Sequence, residues 1–203
     1  MLKWIPNILT FGRGVLTIVF LAMLLYWPAV RDHQSRFIDT AFIVFLIAGL
    51  TDIVDGRIAR WLNVASRFGR IMDPLVDKIL VCGAFICFAI IGEPELFDFN
   101  PVLMAFIQWS VAGVLISRDV YVTILRHIAE ARGFNFAAIL SGKIKMFLHS
   151  FAIGTVLLKM SHFQRATWGD WFTSVTFVIM LIVTIISGLT YHIRWRKYRS
   201  GKK

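Results

Sequence analysis

The chain has 203 residues, of which 58% are hydrophobic, and a formal net charge of +10. Apolar stretches of about 20 residues recur along most of its length, which excludes a water-soluble enzyme and leaves no room for a separate soluble domain, so we expect one membrane domain over residues 1–203. The basic residues lie at the ends of apolar stretches and indicate topology and anionic ligands, so no nucleic-acid partner is expected.

Six apolar stretches, separated by charged or Gly/Pro-containing connections, predict an all-α, polytopic membrane protein with six transmembrane helices. The first stretch lies between Trp4 and Trp27. These residues would be about 34 Å apart along a helix, which matches a hydrocarbon core with its interfaces. We therefore expect a retained helix and not a cleaved signal peptide. The predicted spans are residues 5–29, 37–60, 70–92, 101–125, 137–161 and 169–193.

The charged connections predict the orientation in the membrane. Most Lys and Arg residues lie at the N-terminus, in the second and fourth connections and in the tail from Arg194 onward. The third connection, with Glu93, Glu95 and Asp98, is acidic. By the positive-inside rule both termini are cytoplasmic, and that side faces the basic connections.

Four aspartates, Asp52, Asp55, Asp73 and Asp77, lie in or at the ends of the second and third spans. Ionisable residues in apolar spans are costly, so each needs a partner or a task. The first two are spaced i, i+3 and the last two i, i+4, so each pair shares a helix face. A short turn would bring both pairs together near the cytoplasmic boundary. Four repelling carboxylates need cations, and an oxygen-only ligand set suits Mg²⁺ or Mn²⁺.

A structural alternative is that these aspartates form salt bridges with nearby cations. For any single aspartate this alternative competes well. For four acids in facing pairs, with small residues between them, metal binding is favoured. The candidate cations are Arg57, Arg60, Arg67, Arg70 and Lys78.

The residues around the aspartates form the pattern Asp52-x-x-Asp55-Gly56-x-x-Ala59-Arg60, then, after eight residues, Gly69-x-x-x-Asp73-x-x-x-Asp77. The pattern resembles the signature of the CDP-alcohol phosphotransferase family at every fixed position and in its spacing. Eight matched positions make this a specific signal.

Further segments resemble the bacterial phosphatidylglycerophosphate synthase branch of that family. They are Pro6-Asn7-Ile8-Leu9-Thr10-x-x-Arg13, Ser66-Arg67-Phe68-Gly69, Asp73-Pro74-x-x-Asp77-Lys78, Arg118-Asp119, Leu125-Arg126, Gly133 and Gly142-Lys143-x-Lys145. The chain departs from the branch at Asp119, where Glu is common, and at Met146, where Thr is common.

The resemblance implies an enzyme of the bacterial cytoplasmic membrane, often dimeric, with its active site on the cytoplasmic side. Such an enzyme transfers the phosphatidyl group of CDP-diacylglycerol to glycerol 3-phosphate and releases CMP. Two Mg²⁺ or Mn²⁺ ions would be bound, one by Asp52, Asp55 and Asp73 and the other by Asp52, Asp73 and Asp77. By the same resemblance, Asp77 would also accept the proton of the attacking hydroxyl.

The nucleotide and the acceptor need further residues. Gly56, Ala59 and Gly69 would let the cytidine nucleotide approach the backbone, and Arg60 would bind its phosphates. The two glycines could instead serve helix packing. Four basic residues at the cytoplasmic ends of the fourth and fifth spans are predicted to hold the acceptor phosphate, although each could also serve only topology. They are Arg118, Arg126, Lys143 and Lys145.

Two other functions remain open at this point. One is a different activity of the same family, that of a cardiolipin synthase or a phosphatidylinositol-phosphate synthase. The other is a divalent-cation transporter, in which intramembrane acids form an ion path. Transport predicts acids spread across the bilayer and perhaps repeated halves, whereas these aspartates cluster at one side and no internal repeat is found.

Overall fold

The computed structural model describes residues 5–30, 35–61, 67–132, 140–164 and 166–200. Within these ranges it leaves out the side chains of residues 5–9, 52–61, 67–71, 140–141, 143 and 200. The described residues form helices and connections, with no strand among them, which confirms the all-α prediction. The helices are α1 (Ile5–Val30), α2 (Ser35–Trp61), α3 (Arg67–Ile91), α4 (Pro101–Ala131), α5 (Leu140–His162) and α6 (Thr167–Ser200).

The helices have the length and apolar character of membrane spans. Within the described residues, α1, α3, α4, α5 and α6 each contain a stretch long and apolar enough to cross a bilayer. The remaining helix, α2, has 27 residues and carries Asp52 and Asp55 in its second half. Six long helices agree with the predicted number of spans, and the chain is a polytopic membrane protein.

Two helices extend past the apolar spans predicted from the sequence. Helix α4 ends at Ala131 and not near residue 125, and α6 ends at Ser200 and not near residue 193. Leu125 and Ala129 of α4 are buried with Tyr191 of α6 in a second small core. In α4 this buried face continues past residue 125 to Ala129, and Trp195 of α6 packs against the same core beyond residue 193.

The six helices form one bundle. Helix α1 packs against α2 and α3, α5 packs against α6 and α2, and α4 packs against α3 and α6. Helices α3 and α5 also contact each other. The main core draws on every helix and includes Phe20, Phe45, Phe85, Leu115, Ile153 and Met180. The bundle thus brings α1 next to α3, and α4 next to both α3 and α6.

The outer surface of the bundle is apolar, as contact with lipid requires. Large side chains such as Ile18, Phe106 and Val178 are more than half exposed. In a water-soluble protein, apolar patches of this extent would be costly. In a bilayer they face hydrocarbon, so the polar residues that point into the bundle are the ones that need an explanation.

Candidate active site

Asp73 and Asp77 lie on one face of α3 and are held by a single arginine of α1. Nη2 of Arg13 is 3.3 Å from Oδ1 of Asp73, and Nη1 of Arg13 is 3.4 Å from Oδ1 of Asp77. The same Nη2 also donates to the backbone carbonyl oxygen of Asp73, at 3.1 Å. Thr10, one helical turn before Arg13, donates its hydroxyl to Oδ1 of Asp73 at 2.9 Å. Both carboxylates therefore point toward α1, which the i, i+4 spacing allows.

Burial is distributed unequally between the arginine and the two acids. The side chain of Arg13 is 1% exposed, whereas those of Asp73 and Asp77 are 43% and 26% exposed. The guanidinium thus lies beneath the carboxylates, on the side toward the core. Because the carboxylates remain partly accessible, they can bind a further cation from the open side.

The described part of the acidic site fits a hard divalent cation. Asp73 and Asp77 offer only oxygen donors, which Mg²⁺ and Mn²⁺ prefer. Asp52 and Asp55 lie on α2, which packs against α1 as α3 does, but their side chains are outside the described residues. Among the side chains that the structure describes, no group of three or more His, Cys, Asp or Glu residues could hold an ion. The described pair is thus half of the predicted ligand set.

The cation of this acidic pair was not identified from the sequence. Arg13 lies 60 residues before Asp73, and the sequence suggested only cations close to the aspartates. Of those, Lys78 contacts α4 instead, where its Nζ donates to Oγ1 of Thr123 at 2.7 Å. The side chains of Arg57, Arg60, Arg67 and Arg70 lie outside the described residues. An arginine inside the apolar first span was the available signal, because it too requires a partner.

The predicted nucleotide-binding residues stay predictions. Gly56, Ala59 and Arg60 belong to α2, and Gly69 belongs to α3. Their backbone is helical, while their side chains fall outside the described part of the chain.

Arg118 and Lys145, two of the residues predicted to bind the acceptor phosphate, meet at Asp119. Nη1 of Arg118 is 3.0 Å from Oδ1 of Asp119, and Nζ of Lys145 donates to the same oxygen. Lys145 and Asp119 are both buried. The departure from the family pattern at Asp119 therefore still supplies a carboxylate, and this carboxylate holds two of the predicted cations together.

Arg126 joins the same region through an aromatic residue of α6. Its Nη2 donates to Oη of Tyr191 at 2.9 Å. The ring of Tyr191 also lies 5.8 Å from the guanidinium carbon of Arg118. The structure thus brings three of the four predicted acceptor residues together. The side chain of the fourth, Lys143, is outside the described residues.

The acidic pair, Asp73 and Asp77, lies at the same end of the bundle as a basic cluster formed by Arg118, Arg126 and Lys145. Lys78 directly follows Asp77, and its partner Thr123 lies one helical turn after Asp119. The Thr123 hydroxyl donates to the backbone carbonyl oxygen of Asp119 at 2.6 Å. A continuous polar path therefore runs from α3 to the cations of α4 and α5.

Comparison with known proteins identifies the family. The sequence matches the CDP-alcohol phosphatidyltransferase family over residues 3–189. The chain belongs to this family. The match spans α1 to most of α6 and includes both the acidic pair and the basic cluster, so the resemblance stated from the motifs is confirmed. The enzyme is a membrane transferase of phospholipid biosynthesis, which removes the cation-transporter alternative.

Several bacterial relatives carry the name predicted for this branch. A CDP-diacylglycerol–glycerol-3-phosphate 3-phosphatidyltransferase of Bacillus subtilis (strain 168) is 33% identical, and the alignment covers 92% of each chain. A probable phosphatidylglycerophosphate synthase of Mycobacterium tuberculosis (strain ATCC 25618 / H37Rv) is 30% identical over 92% of this chain and 79% of its own. A CDP-diacylglycerol–glycerol-3-phosphate 3-phosphatidyltransferase of Rickettsia bellii (strain RML369-C) is 26% identical over 96% of each chain. Members of this family generally depend on a divalent metal.

Proposed function

We propose that the enzyme transfers the phosphatidyl group of CDP-diacylglycerol to glycerol 3-phosphate, giving phosphatidylglycerophosphate and CMP. We place the reaction on the cytoplasmic side of a bacterial inner membrane. The observation that carries the proposal is the basic cluster of Arg118, Arg126 and Lys145, at the same end of the bundle as Asp73 and Asp77. The names of the bacterial relatives support the same donor and acceptor.

The acidic residues are proposed to bind the metal ions that contact the donor, CDP-diacylglycerol. Asp52, Asp55, Asp73 and Asp77 would hold two divalent ions, Mg²⁺ or Mn²⁺, which when bound neutralise the pyrophosphate and the charge on departing CMP. Arg13 and Thr10 fix the two carboxylates of α3 before substrate arrives. Such preorganisation lowers the reorganisation needed during the reaction.

Asp77 is the proposed proton acceptor. Its carboxylate is 26% exposed, so a substrate hydroxyl can reach it, and one of its oxygens is held by Arg13. The other oxygen can take the proton of the attacking hydroxyl. Gly56, Ala59, Gly69 and Arg60 are proposed to bind the cytidine nucleotide.

The charge of the basic cluster suits a phosphate monoester. Arg118, Arg126 and Lys145 carry three positive charges, and Asp119 offsets one of them. The net charge of +2 that remains matches a dianionic phosphate, and Lys143 would add one further positive charge. Lys145 is buried and Arg118 is only 12% exposed, so their charges are costly in a membrane unless anions balance them, whereas Arg126 is exposed. A phosphodiester acceptor such as phosphatidylglycerol has one negative charge and fits less well. The predicted homodimer stays a prediction.

An acceptor panel tests the proposed function. Purified enzyme is incubated with CDP-diacylglycerol, Mg²⁺ and either glycerol 3-phosphate, inositol phosphate, phosphatidylglycerol or glycerol, and the lipid product is identified by mass spectrometry. We expect phosphatidylglycerophosphate as the main product, and its loss when EDTA is added. Cardiolipin or a phosphatidylinositol phosphate as the main product would reassign the acceptor within the family.

A further inference from the structure

We infer that α6 forms a third wall of the acceptor site and that Tyr191 is a positioning residue for the two acceptor arginines. The inference rests on the proposed function, because it concerns how the phosphate of the acceptor is held. The acceptor residues predicted from the sequence belong to α4 and α5 alone. The structure adds a face of α6 that contacts them.

Tyr191 lies under both arginines. Its side chain is almost completely buried, and its ring centroid is 5.8 Å from the guanidinium carbon of Arg118 and 5.5 Å from that of Arg126. A desolvated ring attracts a cation at this distance. Tyr191 also accepts a hydrogen bond from Arg126, so the ring and the hydroxyl act on the same arginine. One aromatic residue therefore fixes the separation of two like charges, which an anion between them would stabilise.

The aliphatic part and the guanidinium group of Arg118 both contact α6. Its Nη2 donates to Oγ of Ser187 at 2.5 Å, while Nη1 is engaged by Asp119. A Cβ atom at Gly188 would lie 3.3 Å from Cγ of Arg118, a tight contact that the arginine would have to relieve by a small shift. Nε of Arg118 is buried and has no hydrogen-bond partner among the described residues.

Tyr191 also contacts α5, which carries Lys145. Its Oη lies 3.7 Å from the position that a Cβ atom would take at Gly142. Gly142 precedes Lys145 by three residues, so both lie on nearby parts of one helix face. A Cβ atom at residue 142 would make ordinary van der Waals contact with the phenol, so α5 lies close to Tyr191 here. Tyr191 of α6 therefore lies next to both α4 and α5.

The contacting residues of α6 share one face. Ser187, Gly188 and Tyr191 contact or lie close to the acceptor residues, and Thr184, one turn before Ser187, lies 2.9 Å through its Oγ1 from Nε2 of His149 on α5. The intervening residues Ile185, Ile186 and Leu189 are exposed toward lipid. A polar inner face on a membrane helix indicates either function or a hydrogen-bonded packing contact. These two roles differ in what a conservative substitution does to substrate binding.

Tyr191→Phe is the first test, since it keeps the ring and removes the hydroxyl that orients Arg126. We expect the apparent KM for glycerol 3-phosphate to rise about five- to tenfold, which is within the range that the loss of one hydrogen bond gives. The KM for CDP-diacylglycerol should stay unchanged. Tyr198→Phe is the matched control on the same helix, because its Oη donates to the carbonyl oxygen of Arg132 at 3.0 Å. It should change neither KM.

A double-substitution cycle makes the test specific. In an Arg126→Ala background, Tyr191→Phe should have little further effect on the KM for glycerol 3-phosphate, because the partner of the hydroxyl is gone. Independent effects of the two substitutions would overturn the inference. So would an unchanged KM in Tyr191→Phe, or equal increases in both KM values, while the wild-type enzyme still uses glycerol 3-phosphate. A wild-type enzyme without that activity would overturn the proposed function and this inference with it.

Discussion

Arg13 of α1 donates to Asp73 of α3 through one nitrogen at two points, with Nη2 3.1 Å from the backbone carbonyl oxygen and 3.3 Å from Oδ1. The other terminal nitrogen reaches Asp77. A buried guanidinium therefore fixes two carboxylates that would otherwise repel each other. The acidic site is built from α1 as much as from the helices that carry the acids.

Replacing any one of the four aspartates by asparagine should abolish transfer. Asp52→Asn, Asp55→Asn, Asp73→Asn and Asp77→Asn should each lower kcat by about 100-fold or more, since an amide has no charge with which to hold the ions. Membrane insertion should be retained. Product formation from CDP-diacylglycerol in purified protein is the measurement. Near wild-type turnover in any two variants would show that the four-carboxylate site is wrong.

Removing the arginine should make stability depend on metal. Arg13→Gln leaves Asp73 and Asp77 without a full positive charge between them, so Tm without divalent ions should fall. Addition of Mg²⁺ should then raise Tm more in the variant than in the wild type, because the ions replace the lost charge. Thermal unfolding in detergent, with and without EDTA, measures both shifts. Equal Mg²⁺-induced shifts in the two proteins would contradict the proximity of Arg13 to the metal site.

Loss of an acceptor cation should affect one substrate selectively. Arg118→Ala or Lys143→Ala should raise the apparent KM for glycerol 3-phosphate by roughly tenfold or more, the order of a charge-assisted hydrogen bond, with a much smaller effect on the KM for CDP-diacylglycerol. Lys159→Ala, at the other end of α5, is a control for a general loss of a buried lysine. Equal effects of Arg118→Ala on both substrates would remove that residue from the acceptor site.

The orientation in the membrane can be tested with introduced cysteines. In a chain with Cys82 and Cys87 replaced by serine, Asn63→Cys should react with a membrane-impermeant reagent from the cytoplasmic side only. Glu95→Cys should react from the opposite side only, because α3 separates the two positions. Glu95 is exposed, whereas Leu96 beside it is buried and would react poorly. Labelling of both cysteines from the same side would contradict the predicted topology.

The architecture was predictable because membranes impose a simple constraint. A span needs about 20 apolar residues, and every backbone group must be paired within it. The sequence therefore predicted six helices close to their observed positions. It placed the ends of α4 and α6 too early, because hydropathy marks where apolar character ends. Ala129 of α4 and Trp195 of α6, which belong to or pack against the second small core, lie past that point.

The site was predictable only where its residues are close in sequence. The i, i+4 spacing of Asp73 and Asp77 predicts a shared face, and this is observed. Arg13 and Tyr191 come from distant helices, and their partners depend on how the bundle closes. Periodicity within one helix does not contain that information. An arginine in α1 and a polar face on α6 showed that partners were needed, without showing which.

The proposed transfer is tested most directly by its stoichiometry. Wild-type enzyme is given CDP-diacylglycerol and ¹⁴C-labelled glycerol 3-phosphate with Mg²⁺, and released CMP and lipid-bound label are counted in the same reaction. The account predicts one glycerol 3-phosphate incorporated for each CMP released, and neither product when EDTA is present. Release of CMP without incorporation of the label would contradict it.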